Sequence, residues 1–79
     1  MSMDMMNRDL AAERPYWTAA KGALEDIEEL GEGEFDSSAD FEAAYTAAFN
    51  AFMALDNRTA TAAEVAAAKA YVDKAGLLN

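Results

Sequence analysis

Cysteine and histidine do not occur in this 79-residue sequence, and proline occurs once. Without thiol or imidazole side chains, the chain cannot build a cysteine-based zinc site, a redox pair of cysteines or a nucleophile activated by histidine. The β-branched residues are two valines, one isoleucine and four threonines, which are too few for a sheet protein. The sequence is therefore not that of a common metalloprotein, hydrolase or β-protein.

Alanine is the residue that dominates what is present, with 20 copies among the 79 residues. Because alanine has the highest helix propensity, this composition predicts an all-α protein, organised as a single helical domain over residues 1–79. Residues 1–8 are expected to be disordered or to extend the first helix. No apolar run approaches the roughly 18 residues of a membrane span, and the start does not resemble a secretory signal. We therefore expect a cytoplasmic protein without a membrane partner.

The middle helix has the clearest start. Ser37 is followed three residues later by Asp40, an arrangement close to a capping box. Phe35 and Phe41 are spaced to pack against each other across that start. These signals predict a helix over about 38–55.

The last helix has both a start and an end signal. Thr61 and Glu64 form a Thr-x-x-Glu capping box. Gly76 is placed to adopt the left-handed conformation after the last turn, with Leu77 supplying the apolar contact that accompanies such an end.

The N-terminal third predicts a helix that ends at Gly31, but its start is ambiguous. Pro15 either opens this helix or kinks a longer helix that begins near Asp4. We favour a short helical turn, a break or kink at Arg14–Pro15, and a main helix to about Leu30. Three helices with short connections predict a small three-helix bundle.

Each predicted helix has one apolar face at helical spacing. The inward-facing residues expected from this pattern are Tyr16, Ala20, Ala23, Leu24, Ile27 and Leu30 in the first helix, Phe41, Tyr45, Ala48, Phe49, Phe52 and Leu55 in the second, and Val65, Ala68, Val72 and Ala75 in the third.

The net charge of −9 arises entirely between residues 25 and 42. This segment holds nine acids, and no lysine or arginine occurs between Lys21 and Arg58. The other six acids of the chain balance its six basic residues. We call the nine acids the acidic strip: Glu25, Asp26, Glu28, Glu29, Glu32, Glu34, Asp36, Asp40 and Glu42.

The acidic strip has two interpretations. It is either a solvated surface that keeps an alanine-rich bundle soluble or a surface that binds a basic protein. DNA carries one charge per about 1.7 Å of axis and a helix rises about 1.5 Å per residue, so dense carboxylates approximate part of a phosphate track.

In size and charge the chain resembles small acidic inhibitors that phages encode against host defence, including some anti-CRISPR and anti-restriction proteins. The resemblance implies a nucleic-acid mimic that acts in the host cytoplasm on a basic, nucleic-acid-binding protein and binds no nucleic acid itself.

Trp17 is the expected apolar contact of that surface, because tryptophan is enriched among interface hot spots. The alternative for Trp17 is that it covers the rim of the bundle. The alanine-rich third helix and the methionines near the start also allow a homodimer.

Other functions are weaker alternatives. A regulatory or assembly subunit would bind through apolar helix faces instead of charge. Length, acidity and helicity resemble acyl carrier proteins, in which a serine after an aspartate carries phosphopantetheine, as in Asp36-Ser37 here. However, Ser38 stands where such proteins have an apolar residue, and serine at a helix start is usually a cap.

We expect no metal, no cofactor and no catalysis. An EF-hand reading that starts at Glu32 has Ser37 where glycine is needed and Ala43 where the bidentate glutamate is needed. Catalysis by carboxylates alone needs a cleft, and a bundle of this size has little room for one.

Overall fold

The structure is a computed structural model that describes residues 8–78. Its elements are helix α1 (Leu10–Leu30), a 3₁₀ turn (Glu32–Glu34), helix α2 (Ser38–Asp56) and helix α3 (Ala62–Lys74). Short connections make consecutive helices antiparallel, and each helix contacts the other two. The predicted all-α three-helix bundle is thus confirmed. What was predicted for residues 1–7 lies outside the described part of the chain.

Helix α1 begins at Leu10, which lies between the two starts that the sequence allowed, near Asp4 and at Pro15. The Asp9 carboxylate caps the helix by accepting a hydrogen bond of 3.1 Å from the backbone N–H of Ala12. This side chain satisfies one of the N–H groups that a helix start leaves unpaired.

The helical turn predicted before Pro15 is present, but no break follows it, because α1 runs through Pro15 as one continuous helix. Proline removes one backbone hydrogen bond from a helix interior. Glu13 and Ala20, on either side of the proline, are both buried against the rest of the bundle. Their tertiary packing holds together a helix that local propensity alone would interrupt.

The capping signals of α2 are confirmed. The Ser37 hydroxyl accepts a hydrogen bond of 3.1 Å from the backbone N–H of Asp40. The rings of Phe35 and Phe41 meet edge to face with their centroids 5.5 Å apart. The helix extends to Asp56, one residue past the predicted end.

The capping signals of α3 are confirmed as well. Thr61 and Glu64 form both hydrogen bonds of the capping box. After the last turn, Gly76 has a φ of 67° and Leu77 donates its backbone N–H to the carbonyl of Val72 over 3.2 Å. This pairing closes the helix in the way that a left-handed glycine allows.

The buried core is built from small side chains. Its members are Ala20, Ala48, Ala51, Leu55, Ala60, Val65, Ala68 and Val72. Small residues allow the helix backbones to approach closely, and larger side chains such as Trp17, Phe52 and Tyr71 pack around this centre while remaining only partly buried.

Three residues predicted to face inward are exposed instead. Leu30 is 55% exposed, Phe49 is 41% exposed, and Ala75 is also exposed. Leu30 and Ala75 lie at helix ends, where fewer neighbours cover them. Phe49 lies at the edge of an apolar stripe that is wider than the surface covered by the other helices.

The end of the α1–α2 hairpin extends past α3. Helix α3 has 13 residues and α1 has 21, which at about 1.5 Å per residue differ by roughly 12 Å in length. Between Ala20 and Ala48, no residue is buried. We call residues 21–47 the hairpin tip; it consists of two helices and their connection, without a fully buried core.

No helix among residues 8–78 combines the length and the apolar character needed to cross a membrane.

Candidate functional site

The acidic strip lies entirely on the hairpin tip, and all nine of its residues are exposed. Four of them are in the last two turns of α1, two are in the 3₁₀ turn, one is in the connection, and two are in the first turns of α2.

The chain reversal at the tip brings these acids to one end of the molecule. Gly31 ends α1 with a φ of 76°, and its N–H donates to the carbonyl of Ile27 over 3.0 Å. A left-handed φ favours glycine because other residues would place a Cβ in a strained position. The 3₁₀ turn and the Ser37 cap then start α2 beside the end of α1.

Three carboxylates of the strip have a side-chain partner within residues 8–78. Glu25 is paired with Lys21, with an N–O distance of 3.5 Å, and both side chains are about half exposed. Glu28 accepts a hydrogen bond of 3.3 Å from the Tyr45 hydroxyl, and Glu32 accepts one of 2.7 Å from the Ser38 hydroxyl. Among residues 8–78, Lys21 is the one basic residue that forms an ion pair with the strip.

The two helix ends at the hairpin tip have opposite effects on nearby negative charge, because their dipoles present opposite ends there. Asp40 lies in the first turn of α2, where the positive end of the helix dipole stabilises a carboxylate. Glu28 and Glu29 lie in the last turn of α1, which contains no basic residue. There the negative end of the dipole disfavours them, so this part of the strip lowers the stability of α1.

Tyr45 connects the strip with the apolar flank of α2. Partial burial, together with the nearby charge of Glu28 and the hydrogen bond to it, raises the pKa of the Tyr45 hydroxyl above its ordinary value. A raised pKa means that the phenol stays protonated and continues to donate to the carboxylate well into the alkaline range.

Trp17 is held by several intramolecular contacts and lies outside the hairpin tip. Its indole Nε1–H donates to Asp56 over 3.0 Å, and its ring lies 5.6 Å from that of Phe52. The cationic groups of Arg14 and Lys21 lie 5.9 and 5.7 Å from its ring centroid. Lys21 also pairs with Glu25, so one ammonium group links Trp17 to the edge of the acidic strip, and the Trp17 ring is half-buried.

A buried ion pair at the other end of the bundle was missed by sequence reasoning. Arg8 and Glu13 form it with side chains 8% and 7% exposed. The Arg8 guanidinium also donates to the backbone carbonyls of Leu55 and Asn57, where α2 ends. It thereby caps α2 from a distant part of the sequence. The one sign of this ion pair in the sequence is that Arg8 and Glu13 carry opposite charges five residues apart, on either side of the Asp9 cap.

No group of three or more acidic side chains within residues 8–78 is arranged to hold a metal ion. The Ser37 hydroxyl, the position considered for a carrier group, accepts the capping hydrogen bond of α2.

Comparisons of the chain with protein-family models, curated proteins and solved structures find no match.

Proposed function

We propose that this protein is a non-enzymatic inhibitor that presents the acidic strip to a basic, nucleic-acid-binding protein as a mimic of a phosphate track. The observation that carries the proposal is the exposure of all nine carboxylates on one projecting end, where Lys21 alone of the basic residues pairs with them in the described chain. The lysines and arginines of a partner would supply the missing counter-charges. The site of action under this proposal is the cytoplasm, or the host cytoplasm for a phage-encoded chain.

The position of Glu28 and Glu29 at the end of α1 gives further support. Lysine or arginine at this place would stabilise the helix, whereas these glutamates oppose its dipole. Solubility alone requires neither this placement nor the concentration of all excess charge on one end. A surface complementary to a basic partner gains from concentrated negative charge, which offsets these costs on binding.

Two variants with equal net charge test the proposal. In the strip variant, Glu29→Gln, Glu34→Gln and Glu42→Gln remove three carboxylates that form no side-chain hydrogen bond or ion pair with residues 8–78. In the control variant, Ala63→Lys, Ala66→Lys and Ala70→Lys add three charges to the exposed face of α3. Both make the net charge less negative by the same amount, but only the first changes the strip.

The measurement is displacement of a labelled DNA duplex from a panel of RNA-guided nucleases and restriction endonucleases. We expect the unmodified protein and the control variant to displace DNA from a panel member, and the strip variant to do so about tenfold less effectively or worse. Equal displacement by the two variants would contradict the proposal, because it would show that displacement depends on net charge and not on the acidic strip.

A regulatory or assembly subunit is the second candidate, and one feature favours it. A surface groove of about 510 Å³ runs between α2 and α3, and its lining includes Ala47, Ala54 and Ala67. A partner helix packed there would bind through apolar contact, so its affinity would change little with salt, whereas binding at the acidic strip weakens as salt screens the charges.

A further inference from the structure

Four aromatic rings form a continuous row along one flank of the hairpin tip and α2. In order along the chain they are Phe35, Phe41, Tyr45 and Phe49, and we call them the aromatic row. Successive ring centroids are 5.5, 6.1 and 6.1 Å apart. The planes of Tyr45 and Phe49 are nearly parallel, at 12°. Contacts at these distances fix the rings relative to one another and make the row a preformed surface.

The row ends in apolar side chains that are open to solvent. Phe49 is 41% exposed, and Met53, one helical turn further along α2, is 43% exposed. Single exposed apolar residues are ordinary. Two large ones adjacent on one helix face form a patch whose burial by a partner is favourable. Methionine also adapts its shape to different apolar partners.

Carboxylates of the acidic strip border the same row. Glu28 accepts the hydrogen bond from Tyr45, the ring that stacks on Phe49. Glu42 precedes Phe49 by seven residues, which places it on the same side of α2 two turns away. The apolar patch thus continues into negative charge that has no basic partner among the described residues at these two positions.

Building on the proposed function, we propose that the partner element bound here is a basic amphipathic helix. Its apolar face packs on Phe49 and Met53, and its lysines or arginines meet Glu28 and Glu42. A purely polar basic surface would leave the aromatic patch exposed, and a second copy of this chain would bring another acidic strip against the first. Charge complementarity therefore favours a cationic helix as the occupant.

Two labelled peptides of identical composition test this inference. Both contain lysine, leucine and alanine in about four helical turns. In the first, the leucines recur at helical spacing and form one apolar face; in the second, the same residues are permuted so that no such face exists. Binding is measured by fluorescence anisotropy. We expect the amphipathic peptide to bind the protein about tenfold or more tightly than the permuted peptide.

Matched variants locate the binding. Phe49→Ser with Met53→Ser is expected to remove the preference for the amphipathic peptide, whereas Leu10→Ser, at a residue 42% exposed near the other end of the bundle, is expected to retain it. Phe49→Leu keeps an apolar side chain and is expected to retain most of the preference. Far-ultraviolet circular dichroism establishes that each variant is folded, and Met53→Ser alone serves if the double variant is not.

The outcomes separate this inference from the proposed function. Equal binding of the two peptides, with binding still lost in the Glu29→Gln, Glu34→Gln, Glu42→Gln variant, overturns the inference and leaves the proposed function standing. Binding of the amphipathic peptide that is unchanged in a Glu28→Gln, Glu42→Gln variant also overturns the inference. Equal displacement of DNA by the strip variant and the control variant overturns the proposed function. A dimer of the unmodified protein in sedimentation, abolished by Phe49→Ser with Met53→Ser, assigns the patch to a second copy and overturns the inference.

Discussion

Arg8 joins distant parts of the chain, because one guanidinium reaches both the Glu13 carboxylate and the carbonyls at the end of α2. The planar fork of arginine donates several hydrogen bonds at once, which lysine cannot reproduce. A pair that is more than nine-tenths buried is also costly to break, since the remaining charge stays out of water.

Removing the charge of Glu13 is therefore expected to destabilise the fold. Glu13→Gln should lower the free energy of unfolding by about 2 kcal/mol, and Arg8→Lys should also lower it although the charge is kept. Urea unfolding followed by circular dichroism measures both. The control is Glu25→Gln, which removes a solvent-exposed pair and should change stability little. A Glu13→Gln protein as stable as the control would contradict this account.

Tyr45 provides a residue-scale test by pH. Its pKa is raised in the folded protein, so the stabilisation from the protonated phenol is fully present below the unfolded pKa of about 10 and is lost as the pH rises through the folded pKa. Glu28→Gln removes the nearby charge and should lower the pKa of Tyr45 towards its ordinary value.

The phenolate absorbance of Tyr45 measures this change in a Tyr16→Phe, Tyr71→Phe background. The background is needed because burial also raises the pKa of Tyr71. Glu34→Gln, which alters the strip without touching Tyr45, is the control and should leave the pKa unchanged. The same shift in both variants would mean that the general field of the strip, and not the Glu28 contact, raises the pKa.

Among the elements, the hairpin tip differs from the rest of the bundle. It contains no buried residue, whereas the rest of residues 8–78 holds the buried alanine, valine and leucine side chains. Segments with few buried contacts open locally at lower free energy than the core does.

Hydrogen exchange measures this difference between the two halves. Backbone amides in 25–30 and 40–45 should exchange faster than those in 48–55 and 65–72. The measurement is made at a pH well above the one at which intrinsic amide exchange is slowest. The two ends of α2 provide an internal comparison within one helix. Uniform protection along α2 would show that the tip is as stable as the core.

The elements also show how far sequence reasoning reached. Caps at Ser37, Thr61 and Gly76 were predicted correctly, because each involves neighbours within a few residues. Of the break or kink predicted at Arg14–Pro15, the break does not occur, because packing of the flanking residues against other helices overrides a local preference. Phe49 was predicted to face inward and is exposed, for a similar reason. Its helical spacing indicates an apolar face, but the relative lengths and positions of the helices decide which part of that face is covered.

Part of the candidate site was likewise predictable. That the nine acids lie together follows from their closeness in sequence and from the turn at Gly31. Their hydrogen bonds to Tyr45 and Ser38, and the bond of Trp17 to Asp56, depend on how the helices are rotated against one another. Periodicity in one helix does not carry that information.

At the scale of the whole molecule, the charge distribution is strongly polarised. The nine carboxylates of the acidic strip account for the whole net charge of −9, and the acids and bases outside the strip are equal in number. The end with the least buried structure thus carries the densest charge, which costs folding free energy through repulsion and suits association with a cationic surface.

The most direct test of this account is the salt dependence of affinity for whichever nuclease of the panel loses its DNA to the protein. We expect the dissociation constant of the unmodified protein to rise steeply as salt increases, and that of the strip variant to start weaker and rise less. The Ala63→Lys, Ala66→Lys, Ala70→Lys control should keep the steep dependence. Parallel curves for the strip variant and the control, or an affinity indifferent to salt, would contradict binding through the acidic strip.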